Sequence, residues 1–251
     1  MNAHSLTTRI LSLAISLALA ACTSGSDPKP SAGSSSPAPS ASSGSATEAL
    51  SAGDILAAAA AAATAKGSVH TVATLKQGKE SAKVVNDTGT SDGRQVITSG
   101  KQHTEILLVE GIAYLRANEE ALRDFFGFPA DEASRYADEW LSFTISDAGY
   151  GELVETLDMP SLIENITLTG DLTKTAVTTI GGKRVIGIRG EHPQGGTGTV
   201  YVAADGEPLP VRMDMADPNG SSGSLMFSEW GKNVRVKAPS GATPLSDAVT
   251  A

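Results

Sequence analysis

Apolar and polar positions change rhythm several times along this chain. From Ile10 to Ala21, twelve apolar or small residues run without a charge, flanked by Arg9. Residues 23–47 carry no apolar rhythm. Ten of these 25 residues are Ser, four are Pro, four Ala and three Gly, a composition that buries too little surface to offset the cost of ordering. A disordered tether is expected there, with an end-to-end distance of about 25–30 Å. Ser51, with Asp54 three residues on, precedes Ile55, Leu56 and seven consecutive alanines, and Gly67 follows. This predicts one capped helix over 51–66, smooth enough to pack close to a sheet.

Short β-type stretches come next, separated by turn signals at the spacing of an antiparallel meander. Strands are predicted at 69–76, 81–87, 95–99, 104–110 and 112–116, with breaks such as Ser91-Asp92-Gly93 and Glu110-Gly111. Alternation is weak in the first three. Residues 118–166 interrupt the meander with four helical windows, from 119, 131, 146 and 160, and hold most of the aromatics. The meander then resumes at 173–180, 184–191, 197–203, 209–216 and 224–230. In Leu209-Pro210-Val211-Arg212-Met213-Asp214-Met215, apolar and non-core side chains alternate strictly, giving one buried face and one wet face. From Ala238 the chain reads as a polar tail. The predicted fold class is α+β: one curved antiparallel sheet of about ten strands, a half-barrel with an N-terminal helix and a helical insert (118–166) on its concave side.

Composition narrows the function. The chain is acidic, with 28 acidic against 19 basic side chains, so it would be repelled by phosphate backbones and nucleic acid is not an expected partner. With 40% apolar residues there is material for one domain. Aromatics make up 4%, and seven of the eleven (Tyr114, Phe125, Phe126, Phe128, Tyr136, Trp140 and Phe143) fall within thirty residues.

Cys22 is the only cysteine, and it stands where the apolar run stops. The run is too short to cross a bilayer, which takes about 20 residues, but its layout is that of a secretory signal peptide. Leu19-Ala20-Ala21-Cys22 resembles the lipobox of bacterial lipoprotein signal peptides. The resemblance implies cleavage after Ala21, a diacylglycerol on the Cys22 thiol and anchorage to the outer face of the cell membrane. The mature chain would then have 230 residues and a net charge of −10, with no thiol left for a disulfide or a thiolate metal site. No cofactor is expected beyond the covalent lipid.

A second resemblance lies in the later meander. Ile180-Gly181-Gly182-Lys183-Arg184-Val185, the run from Val200-Tyr201-Val202 through Asp205-Gly206 to Leu209-Pro210-Val211-Arg212, and Phe227-Ser228-Glu229-Trp230-Gly231 recur in order. They are similar to the corresponding passages of actinobacterial lipoproteins of the LppX/LprG type, whose fold is related to the LolA/LolB carriers. The resemblance covers most of the mature domain (48–237) in element order and about forty residues in letters. It implies a half-barrel plugged by helices, with an apolar cavity for acyl chains of a lipid or glycolipid. Candidate lining is Phe125, Phe126, Phe128, Trp140 and Phe143 on one wall, with Leu107, Val109, Val211, Met213 and Met215 on the other; Met suits a surface that accepts varied ligands. The same residues would equally make a filled core, so an interaction or sensor lipoprotein without cargo stands as the alternative, its protein partner unknown.

No catalytic or metal residue is assigned. His70, His103 and His192 lie apart and away from carboxylates at ligand spacing, and no nucleophile elbow, metalloprotease helix, P-loop or dinucleotide fingerprint occurs. An enzyme is not expected.

Overall fold

The computed structural model describes residues 45–193 and 195–249. Cys22, Ala21, the signal segment and most of the tether lie outside the described residues. Two helices open the domain. α1 (Ala46–Ala49) is capped by Ser45, so a helix takes in the last two residues of the expected tether, Ala46 and Thr47. Lys174 fixes it in place, donating from Nζ to the carbonyls of Glu48 (3.0 Å) and Leu50 (2.7 Å), while Arg184 pairs with the Glu48 carboxylate at 2.8 Å. α2 (Ala52–Lys66) follows the capping signal: the Ser51 hydroxyl accepts from the Asp54 N–H, and Gly67 closes the helix in the left-handed conformation.

The first meander comprises β1 (Val69–Gln77), β2 (Glu80–Thr88), β3 (Gly93–Ser99), β4 (Gln102–Val109) and β5 (Ile112–Ala117). The interruption holds α3 (Glu119–Asp124), α4 (Ala130–Tyr136), β6 (Leu141–Phe143), α5 (Tyr150–Val154) and α6 (Met159–Ile166). It is thus not wholly helical, because Leu141-Ser142-Phe143 joins the sheet beside β5. α5 is shorter than its window: Asp147 accepts from the Thr144 N–H and hydroxyl, which holds 144–147 in a turn. The second meander comprises β7 (Thr169–Lys174), β8 (Thr178–Ile180), β9 (Lys183–Glu191), β10 (Thr197–Ala203), β11 (Pro210–Ala216) and β12 (Ser222–Ser228). The single strand expected at 173–180 is split at Thr175, whose hydroxyl accepts from the Gly187 N–H and so bends the edge over β9.

The C-terminal segment departs most from expectation. After β12 the chain runs as a strap to β13 (Thr243–Pro244), which pairs parallel to β6, and then to α7 (Leu245–Val249), where Ala248 is buried. The polar tail is therefore docked at its end. Its few backbone bonds to β6 and one small buried side chain leave no trace in the hydropathy pattern.

Among the described residues, thirteen strands form one sheet, in the order β13-β6-β5-β4-β3-β2-β1-β12-β11-β10-β9-β7 with β8 on β9. Three more strands than expected come from β6, β13 and the split edge. The pairing of β1 with β12 joins the two meanders, and the outer edges β13 and β7 do not meet, so the sheet is curved and open. Directly opposed residues of an antiparallel ladder share a face, which lets the faces be read from register. One row runs Phe227, Thr71, Asn86, Gln95, Ile106, Leu115, Leu141, and the next runs Ile188, Val200, Met213, Leu225, Ala73, Val84, Ile97, Thr104, Ala117. Every helix contributing to a core packs on this concave face. α2 and α6 cover its second half, and α3, α4, α5 and α7 cover its first.

Candidate functional site

The concave face has three zones. Under α2 and α6, Ile55, Leu56, Ala59, Leu162, Ile186, Ile188, Val200, Val202 and Met213 make an aliphatic core. Under the helices of the interruption, Leu115, Leu122, Phe126, Phe128, Leu141, Phe143, Leu153 and Leu157 make a second core. Between them, β1 to β3 form a seam that neither helix group fully covers. Its deep end is polar and buried: Thr71 is 1% exposed and Thr88 0%, with Asn86 and Gln95 close behind. Thr156 ties part of this end together. Its carbonyl accepts from the Thr88 hydroxyl at 3.1 Å, and its hydroxyl accepts from Gln95 Nε2. Asn86 Oδ1 and, nearer the second core, Thr104 Oγ1 are buried without a hydrogen-bond partner, each a cost of about 1–3 kcal/mol. The outer end is apolar and half-exposed, with Ala73, Leu75, Ile97, Met215 and Leu225 as its floor.

Two glycines let covering segments lie flat on the sheet. A Cβ at Gly93 would stand 2.5 Å from the Leu157 carbonyl oxygen, and one at Gly198 would stand 2.6 Å from Leu168 Cδ2. The result is close packing. The void between α2 and the sheet, bounded by Leu56, Ala59, Ile166, Val200 and Pro210, has about 10 Å³, room for one water at most.

The sequence-derived lining residues separate. Phe126, Phe128 and Phe143 come together in the second core, with Phe125 packed against its flank. Met213 sits in the first core, Met215 at its margin, and Val211 is buried beside the register shift in β10. Leu107, Val109 and Trp140 lie on the opposite, convex face. Leu107 and Val109 alternate with the concave Ile106 and Leu108, and the Trp140 ring lies under the Arg116 guanidinium at 4.7 Å. Those three line no concave cavity, because the period-2 pleat turns them outward. Of the half-exposed floor residues only Met215 was among the sequence-derived lining; Ala73, Leu75, Ile97 and Leu225 were missed. Their signal was the spacing of Ala73 and Leu75 in a strand whose other face carries Val72.

The convex face is charged. Arg94 Nε donates to Glu105 Oε1 at 2.8 Å, and Arg116 donates to the other oxygen at 2.5 Å. Burial alone would raise the Glu105 pKa, but the hydrogen bonds and charges of Arg94 and Arg116 outweigh it and hold the carboxyl below its usual range. His70 Nδ1 lies 2.7 Å from Asp87 Oδ1 in the same cross-strand row. His103 is exposed, and burial pushes the His192 imidazole downward. Among the described residues, no three His, Cys, Asp or Glu gather at metal-binding distance, and no helix is long and apolar enough to cross a membrane.

No family model matches the chain, and no curated protein matches it in sequence. Among solved structures it is similar to the lipoprotein LppX of Mycobacterium tuberculosis, at 19% identity and a TM-score of 0.47 over 73% of this chain and 98% of that one. A conserved protein from Thermus thermophilus is similar over 78% of this chain and 98% of that one, at 11% identity and a TM-score of 0.44. MucB is similar over 76% of this chain and 64% of that one, at 12% identity and a TM-score of 0.39. The curved, open sheet with helices on one face is the architecture that the LppX/LprG resemblance implies, and nothing about ligands is carried over from these three.

Proposed function

We propose that the chain is a membrane-anchored, extracytoplasmic lipoprotein, not an enzyme, that holds an amphipathic lipid along the seam of its concave face. The observation that carries this reading is the half-exposed apolar floor of Ala73, Leu75, Ile97, Met215 and Leu225, which lies between two closed cores. An acyl chain laid on it gains about 0.8 kcal/mol per buried methylene. The buried polar end would receive a headgroup or linkage oxygen. Anchorage rests on the lipobox resemblance at Cys22, and the tether would let the domain reach the bilayer surface.

A second reading has its own support. The void beneath α2 holds about 10 Å³, which favours an interaction module with a filled core. Native mass spectrometry of a Cys22→Ser chain, purified from membrane extract without detergent, separates the two. A carrier yields adducts in the phospholipid mass range that disappear in Leu225→Asp and persist in Ile145→Asp, a substitution at an exposed loop position. A clean apo mass after incubation with lipids overturns the carrier in favour of the module.

A further inference from the structure

We propose that the cleft between the C-terminal strap and the convex face of β1–β3 is a binding site for a small anion carrying a phosphate or carboxylate group. The strap is pinned at both ends. The Gly231 N–H donates to the Ser68 carbonyl and the Ser68 hydroxyl to the Lys232 carbonyl, at 2.9 and 2.7 Å. Far away, the Thr243 N–H donates to the Trp140 carbonyl at 2.8 Å as β13 docks on β6. Between these pins Asn233, Val234, Arg235 and Val236 lie near the convex cross-strand row His70, Asp87, Arg94, and Val234 and Val236 are half-buried. A cavity of about 250 Å³ is left beneath it, on the face opposite the seam.

Its chemistry selects an anion. The protein as a whole carries a net charge of −9, yet this place is cation-rich. One carboxylate, Glu105, answers both Arg94 and Arg116, which leaves a net positive charge there. Among the charged lining residues Arg94, Lys232 and Arg235 outnumber Asp87 and Glu229; Glu229 pairs with Lys232, and Asp87 Oδ1 lies 2.7 Å from His70 Nδ1. Arg235 lines the cavity and has no ion pair among the described residues. Two arginines, Arg94 on the sheet and Arg235 on the strap, therefore line one cavity. That arrangement suits a phosphate or carboxylate, whose oxygens accept from guanidinium forks. The ligand would clamp the strap to the sheet. This inference is independent of the concave-face reading.

Calorimetric titration of the full chain in neutral detergent, at fixed ionic strength, with inorganic phosphate and glycerol 3-phosphate as probes, tests it. Saturable binding is expected, weakened about tenfold by Arg235→Gln and unchanged by Lys183→Gln, a cation on the distant β9. Both sites are exposed, so neither variant threatens folding. If micelles doped with phosphatidic acid compete with glycerol 3-phosphate, the anion is a lipid headgroup. If they do not compete, it is a soluble compound; the site stands in either case. The absence of saturable heat with both probes overturns the proposal, and so does equal weakening by the two variants. Binding of an acidic peptide in place of either probe overturns it in favour of a protein partner.

Discussion

The two covered halves of the sheet reach the same degree of burial with different side chains. Over the second half, α2 has 15 residues and lays Ile55, Leu56 and Ala59 into a core with Ile186, Ile188, Val200 and Met213. Over the first, helices of five to seven residues and the loop joining α3 to α4 bring leucines, Phe126 and Phe128 onto Leu115 and Leu141. Helix nucleation explains the contrast. A helix of one or two turns is unstable alone, so each turn of the interruption must be anchored by a large apolar group. A long alanine helix forms with little local cost and can then sit close to the strands. The half built from short pieces depends on tertiary contacts for all its helices, whereas over the other half that dependence falls on the eight-residue α6 more than on α2.

Deleting buried volume in each half is the strongest test of that contrast. Leu115 and Ile188 are both fully buried, and Leu115→Ala and Ile188→Ala should each lose about 2–5 kcal/mol in urea unfolding. Because β1 pairs with β12 across the junction, one shared transition is expected. Two transitions, each moved by only one variant, would mean the halves fold separately. A smaller effect is expected at the flat-lying segments. Gly93→Ala meets the Leu157 carbonyl oxygen at 2.5 Å, a backbone atom, while Gly198→Ala meets the movable end of Leu168. The first should cost about 1–3 kcal/mol and the second distinctly less; equal losses would show that the covering segment over Gly93 yields as easily as a side chain.

The smallest effect concerns the convex face. Glu105 has its folded pKa below the unfolded value, so its stabilising contribution is present above the ordinary carboxylate range near 4.3 and is lost as pH falls through the folded pKa. Glu105→Gln should therefore destabilise by about 1–1.5 kcal/mol at pH 7, and the gap from the parent should close as pH drops below about 4. A gap independent of pH would show that packing, rather than the Arg94 and Arg116 pairs, is what Glu105 supplies.

Much of the architecture was legible from local signals. The capped alanine helix, the turns and the alternation in β11 follow from residues within a few positions of one another, and so do the α+β class and the interruption at 118–166. The seam was harder to read. In β1 to β3 both faces carry apolar groups, with Val72, Val85 and Val96 on the convex face behind Thr71, Asn86 and Gln95 on the concave one, so period-2 alternation is blurred. Trp140 looked like a cavity aromatic because it belongs to the aromatic cluster of the interruption, yet it is Arg116, distant in sequence, that claims its ring.

By itself, then, the sequence determined most of the turns, the alanine helix and most strands of the two meanders, and that a lone cysteine follows an apolar run. Those depend on backbone preference and short-range pattern. Only the tertiary structure decided that β6 and β13 extend the sheet, that the strap crosses the convex face, and which aromatics are packed away. Each of those depends on pairings between residues far apart in the chain. Their energy comes from the register of opposing strands, which no window of the sequence contains.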